Sequence, residues 1–152
     1  MAEVKRDIPI NYRLKTIELI EEKLGCLSKT DIEITRYHYR VNVSHKVKLD
    51  KKVIIVLVEV FINTNIEDTI FGYIKVACIF EVDNLNSFIN PNTQDVKLPS
   101  IFESNINSIS ISTVRGIMFS QFKGTNLHKA ILPIIPPSTL RRLKPPSRKK
   151  TL

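Results

Sequence analysis

The sequence lacks the short motifs that most enzymes need. It has four glycines, and none of them forms a Gly-x-Gly pair, which excludes a glycine-rich phosphate loop. It also has no Gly-x-Ser-x-Gly nucleophile elbow. The three histidines, His38, His45 and His128, show no metal-ligand spacing with one another or with a cysteine. These absences predict a protein that is not an enzyme and that has no metal site and no cofactor.

Cysteines and long apolar runs are also scarce. Cys26 and Cys78 lie far apart, so two free, buried thiols are expected. The longest apolar run, Val53 to Val58, is six residues, well below the roughly 18 needed to cross a bilayer. No apolar stretch follows the charged first residues, so no signal peptide is expected. Together these features predict a cytoplasmic protein without membrane insertion.

Positive charge is concentrated at the C-terminus. The net charge is +8, but six of the 23 basic residues lie in residues 141–152, which contain no acid. Residues 1–140 therefore carry 17 basic and 15 acidic residues and are predicted to form one domain, followed by a disordered basic tail. A solubilising role is favoured for the tail over docking to an acidic partner. Nucleic acid is the weakest alternative because no aromatic residues are interleaved with the charges.

Residues 31–82 show the alternation of antiparallel strands. Tyr37, Tyr39 and Val41 fall on one face of a first strand, residues 53–62 are almost continuously apolar, and alternation resumes over residues 69–82. The short polar turns between these segments predict an antiparallel meander. Residues 10–25 fit either an amphipathic helix that stops at Gly25 or an irregular, bulged edge strand.

A long helix is predicted after the strands. Leu98-Pro99-Ser100 is typical of a helix start, and Gly116 is expected to interrupt the helix. The residues that then follow at helical spacing are Ile101 or Phe102, Ile106, Ile109, Thr113 and Ile117. The opposite face carries small polar residues that suit contact with another subunit: Ser104, Asn105, Ser108 and Ser112. One helix covers one face of a sheet whose strand 53–62 is apolar on both faces. Self-association or a bound partner is therefore predicted.

Three segments in the last third of the chain resemble the SecB protein-export chaperone family. They are Leu98 to Phe102, Ser110 to Phe119 with its Arg115-Gly116 pair, and Leu132 to Ile134. Residues 58–64 and 71–82 also follow the order of the family's central hairpin, so the resemblance spans residues 10–140. It implies an α+β fold, in which a long C-terminal helix and a short second helix pack on one face of a four-stranded antiparallel sheet. It also implies a first strand near residues 9–22 and a homotetramer built as a dimer of dimers.

The resemblance also implies a function. SecB proteins hold unfolded preproteins in apolar grooves, without chemistry or cofactor, until these reach the SecA motor. Glu18 and Glu22 are the candidates for docking SecA, although Tyr73 stands where export proteins carry an acid and the tail is basic. The alternatives are a SecB-like chaperone dedicated to a toxin–antitoxin pair and a nucleic-acid-binding adaptor that uses the tail. The predicted client-binding residues are Tyr37, Tyr39, Phe61, Phe71, Tyr73, Phe102, Leu127, Ile131 and Leu132.

Overall fold

The computed structural model describes residues 9–25, 36–65 and 70–136. Four strands form one antiparallel sheet in the order β1-β4-β3-β2, and their bounds are β1 Tyr12–Leu24, β2 Tyr37–Lys48, β3 Val53–Thr64 and β4 Ile70–Val82. A 3-10 turn at Leu85–Phe88 and a single long helix, α1 at Ser100–Gln121, follow in the described part of the chain. The predicted α+β class is confirmed. The predicted tail, residues 141–152, lies outside the described residues.

The central strands β3 and β4 divide the sheet into two faces. Even-numbered residues 54–62 and 74–82 pack with α1 in the hydrophobic core and define the helix face. Odd-numbered side chains of the same strands point the other way and define the open face, where most are half-buried. Directly paired residues of neighbouring antiparallel strands share a face, so the strand register assigns β1 and β2 residues to the same two faces.

Strand β1 is a bulged edge strand, and the helical alternative for residues 10–25 is wrong. Its pairing with β4 shifts register between Leu14 and Thr16 and again between Leu19 and Glu21. Each bulge inserts one extra residue. Leu14 and Ile17, three residues apart, therefore both lie on the helix face, opposite Phe80 and Cys78. The helix-like spacing in the sequence is produced by these bulges in a strand.

Helix α1 begins where the proline predicts, but its buried face differs from the predicted one. The predicted stripe includes Ile109 and either Ile101 or Phe102, and of these Ile101 and Ile109 are exposed whereas Phe102 is buried. Ser104, Asn107 and Ser110 are buried instead, together with Phe102, Ile106, Ile111, Val114 and Met118. Asn107 Oδ1 lies 2.5 Å from His45 Nε2 of β2, and Ser110 Oγ donates to the Ile106 carbonyl at 2.7 Å. Such partners make burial of small polar groups tolerable and let the helix approach the sheet closely.

The predicted interruption at Gly116 does not occur. The helix continues to Gln121, and a Cβ atom at Gly116 would meet nothing within 4 Å. Glycine costs about 1 kcal/mol in a helix interior. Val114 and Met118, buried on either side, anchor the last turns to the sheet and offset that cost.

The chain after α1 packs on the core without forming a helix in the described range. Residues 122–129 form turns and 130–136 have no regular structure, while Phe122, Leu127 and Leu132 are buried. The short second helix that the family resemblance implies is therefore not found in residues 122–136, and residues 137–152 lie outside the described range. Cys78 is buried in the core as predicted, and Cys26 lies outside the described residues. No helix in the described ranges is long and apolar enough to cross a membrane.

Candidate functional site

A cleft opens where β1 ends beside β4, and it brings together three of the predicted client-binding residues. Phe61, Phe71 and Tyr73 line it, and the rings of Phe61 and Tyr73 lie 4.8 Å apart. The cleft has a volume of about 460 Å³, and its other lining residues are Glu21, Lys23, Leu24, Gly25, Ile70 and Gly72. Its aromatic floor and open rim suit an apolar side chain of an extended polypeptide.

Glycine is required where β1 meets the cleft wall. The Gly25 amide donates to the Phe71 carbonyl at 2.7 Å, and a Cβ atom at Gly25 would lie 2.9 Å from that same oxygen. Because backbone atoms cannot yield as a flexible side chain can, a larger residue would push β1 away from β4 at this point. Gly25 therefore sets the width of the cleft at its inner end.

Charged groups hold the aromatic floor in place. The Tyr73 hydroxyl donates to Glu59 Oε2 at 2.6 Å, and the Arg40 guanidinium lies 4.2 Å above the Phe61 ring centroid. Desolvation, followed by the hydrogen bond to Glu59, raises the pKa of Tyr73 above its ordinary value. Tyr73 is therefore a neutral donor at physiological pH, and its ring orientation is fixed by Glu59. The sequence marks Glu59 as the lone charge of an apolar strand, which suggests an interface or a strand edge, but it does not reveal the partner, because Tyr73 lies on another strand.

Five of the six remaining predicted client-binding residues pack with the core on the helix side of the sheet, and one of them, Leu127, lies against Gly72 of the cleft wall. Tyr37 and Tyr39 of β2 are half-buried, and the Tyr37 hydroxyl donates to the Asn126 carbonyl at 3.2 Å. Desolvation raises the pKa of Tyr39 to about 12, with a smaller contribution from Tyr37. Phe102, Leu127 and Leu132 are core residues, whereas Ile131 is exposed. Phe71 lines the cleft but is 2% exposed and belongs to the core, so only Phe61 and Tyr73 of the nine residues lie on the open face.

An apolar stripe on β1 was not among the predicted site residues. Leu14, Ile17 and Leu19 all lie on the helix face, and their exposed fractions are between 38% and 43%. Helix α1 packs mainly on β3 and β4, so it leaves this stripe, called the β1 stripe below, largely uncovered. The sequence shows the apolar residues and allows a bulged strand, but their placement on one face depends on the positions of two bulges, which the sequence does not reveal.

The outer face of α1 carries only part of the predicted oligomer interface. Asn105 and Ser112 are exposed and Ser108 is half-buried, but Ser104 is 5% exposed and lies beneath the helix. A contact between Ser104 and another subunit is therefore inconsistent with the packing within this chain. Three exposed apolar side chains lie on the same outer face: Ile101, Ile109 and Phe119.

The two acids predicted to dock SecA point to opposite faces. Glu18 pairs with Ala77 on the open face, whereas Glu22 pairs with Ile74 on the helix face. Glu21, opposite Lys75, is the acid that shares the open face with Glu18, and it forms a 3.1 Å ion pair with Lys23. The bulge after Leu19 places Glu21, and not Glu22, on the open face with Glu18. Within residues 9–25, 36–65 and 70–136, no three His, Cys, Asp or Glu side chains are grouped to hold a metal ion.

The sheet order, the long helix across one face and the uncovered edge strand define a SecB-like α+β fold. Among solved structures, the chain is similar to the SecB-like chaperone Rv1957 of Mycobacterium tuberculosis, which was solved in complex with a ChAD peptide from the Rv1956 HigA1 antitoxin. The TM-score is 0.60 at 8% sequence identity, covering 82% of this chain and 90% of that one. No family model and no curated protein matches the sequence. At this identity the likeness establishes the fold.

Proposed function

We propose that this protein is a SecB-like chaperone, a cytoplasmic holdase without enzymatic activity that binds extended segments of unfolded polypeptide. The observation that carries the proposal is the amount of apolar surface left uncovered, in the β1 stripe and in the cleft at Phe61 and Tyr73. Contiguous apolar surface of this kind is characteristic of interaction sites. The likeness of the fold to a chaperone solved with a bound peptide supports the same function.

The cleft is the proposed contact for client side chains. Its floor is aromatic, and the polar groups of that floor already have partners: Tyr73 donates to Glu59 and Arg40 stacks on Phe61. A floor without unsatisfied donors or acceptors imposes few sequence requirements, because affinity then comes from apolar area. Such a surface suits many clients at modest affinity.

The β1 stripe and the outer face of α1 are the proposed surfaces for self-association. Both lie on the helix side of the sheet, and the ring of Tyr12 on β1 lies 4.9 Å from that of Phe102 on α1, so the two surfaces adjoin at the start of the helix. Ser112, a small exposed residue of this outer face, leaves room for close approach between helices. A homo-oligomer, in the dimer-of-dimers form that the family resemblance implies, would cover this surface and leave the Phe61 and Tyr73 side of the cleft accessible on the open face.

A second candidate is a chaperone dedicated to one antitoxin. It is favoured by the structural neighbour, which was solved with an antitoxin peptide. This function predicts one tight client in place of many weak ones. Titration of this protein against unrelated unfolded proteins distinguishes the two, since a dedicated chaperone would protect none of them at stoichiometric concentration. We do not extend the proposal to SecA, because Glu18 and Glu22 lie on opposite faces of the sheet.

Suppression of aggregation tests the proposal. Wild-type protein, mixed with a chemically unfolded protein at equal concentration, is expected to prevent the rise in light scattering after dilution. Ile70→Ser removes an exposed apolar residue from the cleft rim, and Ile134→Ser makes the same change at an exposed position outside the cleft. Ile70→Ser should weaken protection and Ile134→Ser should not. Absence of protection at every ratio, for wild-type protein and all clients, would refute the holdase function.

Light scattering coupled to size-exclusion chromatography tests self-association. Wild-type protein is expected to elute as a multimer, and Ile17→Asp in the β1 stripe should reduce its mass. The exposed Ile134→Asp serves as the matched control. A wild-type protein that stays monomeric at micromolar concentration would contradict the assignment of these surfaces.

A further inference from the structure

Strand β2 is the other edge of the described sheet, and it differs from β1 in its regularity. Its twelve residues pair with β3 without a break, from Tyr37 opposite Thr64 to Lys48 opposite Val53. The β1 ladder shifts register twice. Bulges discourage pairing with a further strand, whereas a regular edge is a template for it. Strand β2 therefore has the geometry to accept an added strand.

The open-face side of this edge is a row of positive charge without an acid. Its side chains alternate along β2 as His38, Arg40, Asn42, Ser44, Lys46 and Lys48. The nearest acid on β3, Glu59, lies opposite Asn42 and already accepts the Tyr73 hydroxyl. In the described part of the chain, Arg40, Lys46 and Lys48 form no ion pair. The row is therefore available to a negatively charged partner.

The same charges disfavour two obvious occupants of the edge. A second copy of β2 would place these cations against each other, and like charges directly opposite in a sheet are destabilising. The chain's own C-terminal tail carries six basic residues and no acid, so it would be repelled as well. Along the helix face of β2 the alternate residues are apolar and half-buried at Tyr39 and Val41. An occupant therefore needs acids on one side and apolar residues on the other.

We propose that β2 accepts, as a fifth strand of the sheet, a client segment in which acidic and apolar residues alternate. Main-chain hydrogen bonds hold the segment to the edge, as in other cases of strand addition. Its acids lie over Arg40 and Lys46, and its apolar residues lie beside Tyr39 and Val41. Cross-strand neighbours in such a pair lie about 5 Å apart at Cβ, close enough for each acid to contact a cation. This inference rests on the proposed chaperone function and specifies the client segment that the β2 edge selects.

Peptide binding tests the inference directly. Three labelled twelve-residue peptides, each as long as β2, would alternate valine or threonine with glutamate, with lysine or with serine, and their binding to the full-length protein would be followed by fluorescence anisotropy. The glutamate peptide should bind at least about tenfold more tightly than the lysine peptide, with the serine peptide between them. The difference should shrink as NaCl rises from about 50 mM to about 500 mM.

Charge reversal identifies the surface. Arg40→Glu with Lys46→Glu should reverse the preference in favour of the lysine peptide. Lys97→Glu with Lys123→Glu changes the net charge equally at exposed positions away from β2 and should leave the preference intact. If both double variants lose the preference equally, net charge and not the β2 edge is responsible, and the inference is overturned.

N-methylation of the peptide backbone separates strand addition from binding through side chains alone. In an added strand, every second amide faces β2 and the others face solvent. One peptide would therefore be methylated at its odd-numbered amides and another at its even-numbered amides, and only one of the two should lose binding. Equal effects of the two sets would overturn the inference. A single-stranded DNA oligonucleotide that displaces the glutamate peptide with similar affinity would also overturn it, since the row would then be a phosphate-binding surface.

The aggregation assay keeps this inference distinct from the proposed function. Protection by wild-type protein without a preference for the glutamate peptide refutes the β2 inference alone. Edge-selective binding of the glutamate peptide without protection refutes the holdase function and retains the β2 surface.

Discussion

Arg115 of helix α1 forms hydrogen bonds with the last described segment of the chain, residues 130–136. Removing its donor groups should destabilise the packing of that segment on the helix. Arg115 Nε donates to the Leu132 carbonyl at 2.7 Å, and its terminal amino group Nη2 donates to the Pro133 carbonyl at 2.9 Å. Hydrogen bonds to charged groups contribute about 1.5–3 kcal/mol each. Because Arg115 is half-buried, water would replace part of what is lost. For Arg115→Met we expect a loss of about 2–3 kcal/mol in the free energy of unfolding.

Methionine is the informative replacement because it retains the apolar stem of the arginine and removes every donor. Arg115→Lys retains the charge but cannot donate to both carbonyls with a rigid fork, so it should fall between wild type and Arg115→Met. The local effect should appear at Leu132, which is 1% exposed. Exposing that side chain to water would cost about 1.5–3 kcal/mol of the free energy gained by burying it.

Urea unfolding and amide hydrogen exchange measure the two parts of this prediction. The urea midpoint should fall for Arg115→Met. The amide of Ala130, which donates to the Leu127 carbonyl at 2.9 Å, should exchange faster relative to amides of β3. If the midpoint and the Ala130 protection both match wild type, Arg115 does not hold the segment and the reasoning is wrong.

Three further predictions follow from particular contacts. Gly116→Ala should stabilise the protein by about 0.5–1 kcal/mol, because an added Cβ meets nothing within 4 Å; a lower thermal midpoint would show that the site is occupied in the assembled protein. Gly72→Ala should destabilise it by about 1–3 kcal/mol, because the added Cβ would lie 2.5 Å from Leu127 Cδ1; an unchanged thermal midpoint would mean that Leu127 moves freely. The pKa of Tyr39 is raised from 10.0 to about 12, so the neutral phenol stabilises the fold fully below pH 10 and that contribution is lost as pH rises to about 12. Between those pH values wild type should lose up to about 1 kcal/mol more stability than Tyr39→Phe, after allowance for solvent screening; equal losses in alkaline urea titrations would contradict the assignment.

Much of the sheet could be predicted from the sequence because strand periodicity is local. Apolar and polar side chains alternate from Tyr37 to Ser44, and from Tyr37 to Asn42 half-buried and exposed residues alternate in step with them. Polar turns between consecutive apolar segments were enough to predict antiparallel neighbours. The start of α1 at Ser100 was also predicted, because proline before the first helical residue is a local constraint on the backbone.

Side-chain faces could not be predicted where packing outweighs local preference. In α1, Ser110 and Asn107 are buried while Ile109 is exposed, because partners for the polar groups exist only once the helix lies on the sheet. The cleft likewise depends on contacts between strands distant in sequence, such as the 2.6 Å hydrogen bond between Tyr73 and Glu59.

The sequence by itself determined that this chain has no enzyme motif, that three of its segments are strands, that a long helix follows them, and that apolar surface would be left over. Only the tertiary structure decided where that surplus lies. Two bulges rotate β1 so that Leu14, Ile17 and Leu19 share the face beside the helix while Glu18 and Glu22 separate. A bulge is set by the register of pairing with a neighbouring strand, which is a property of the assembled sheet and not of the segment alone.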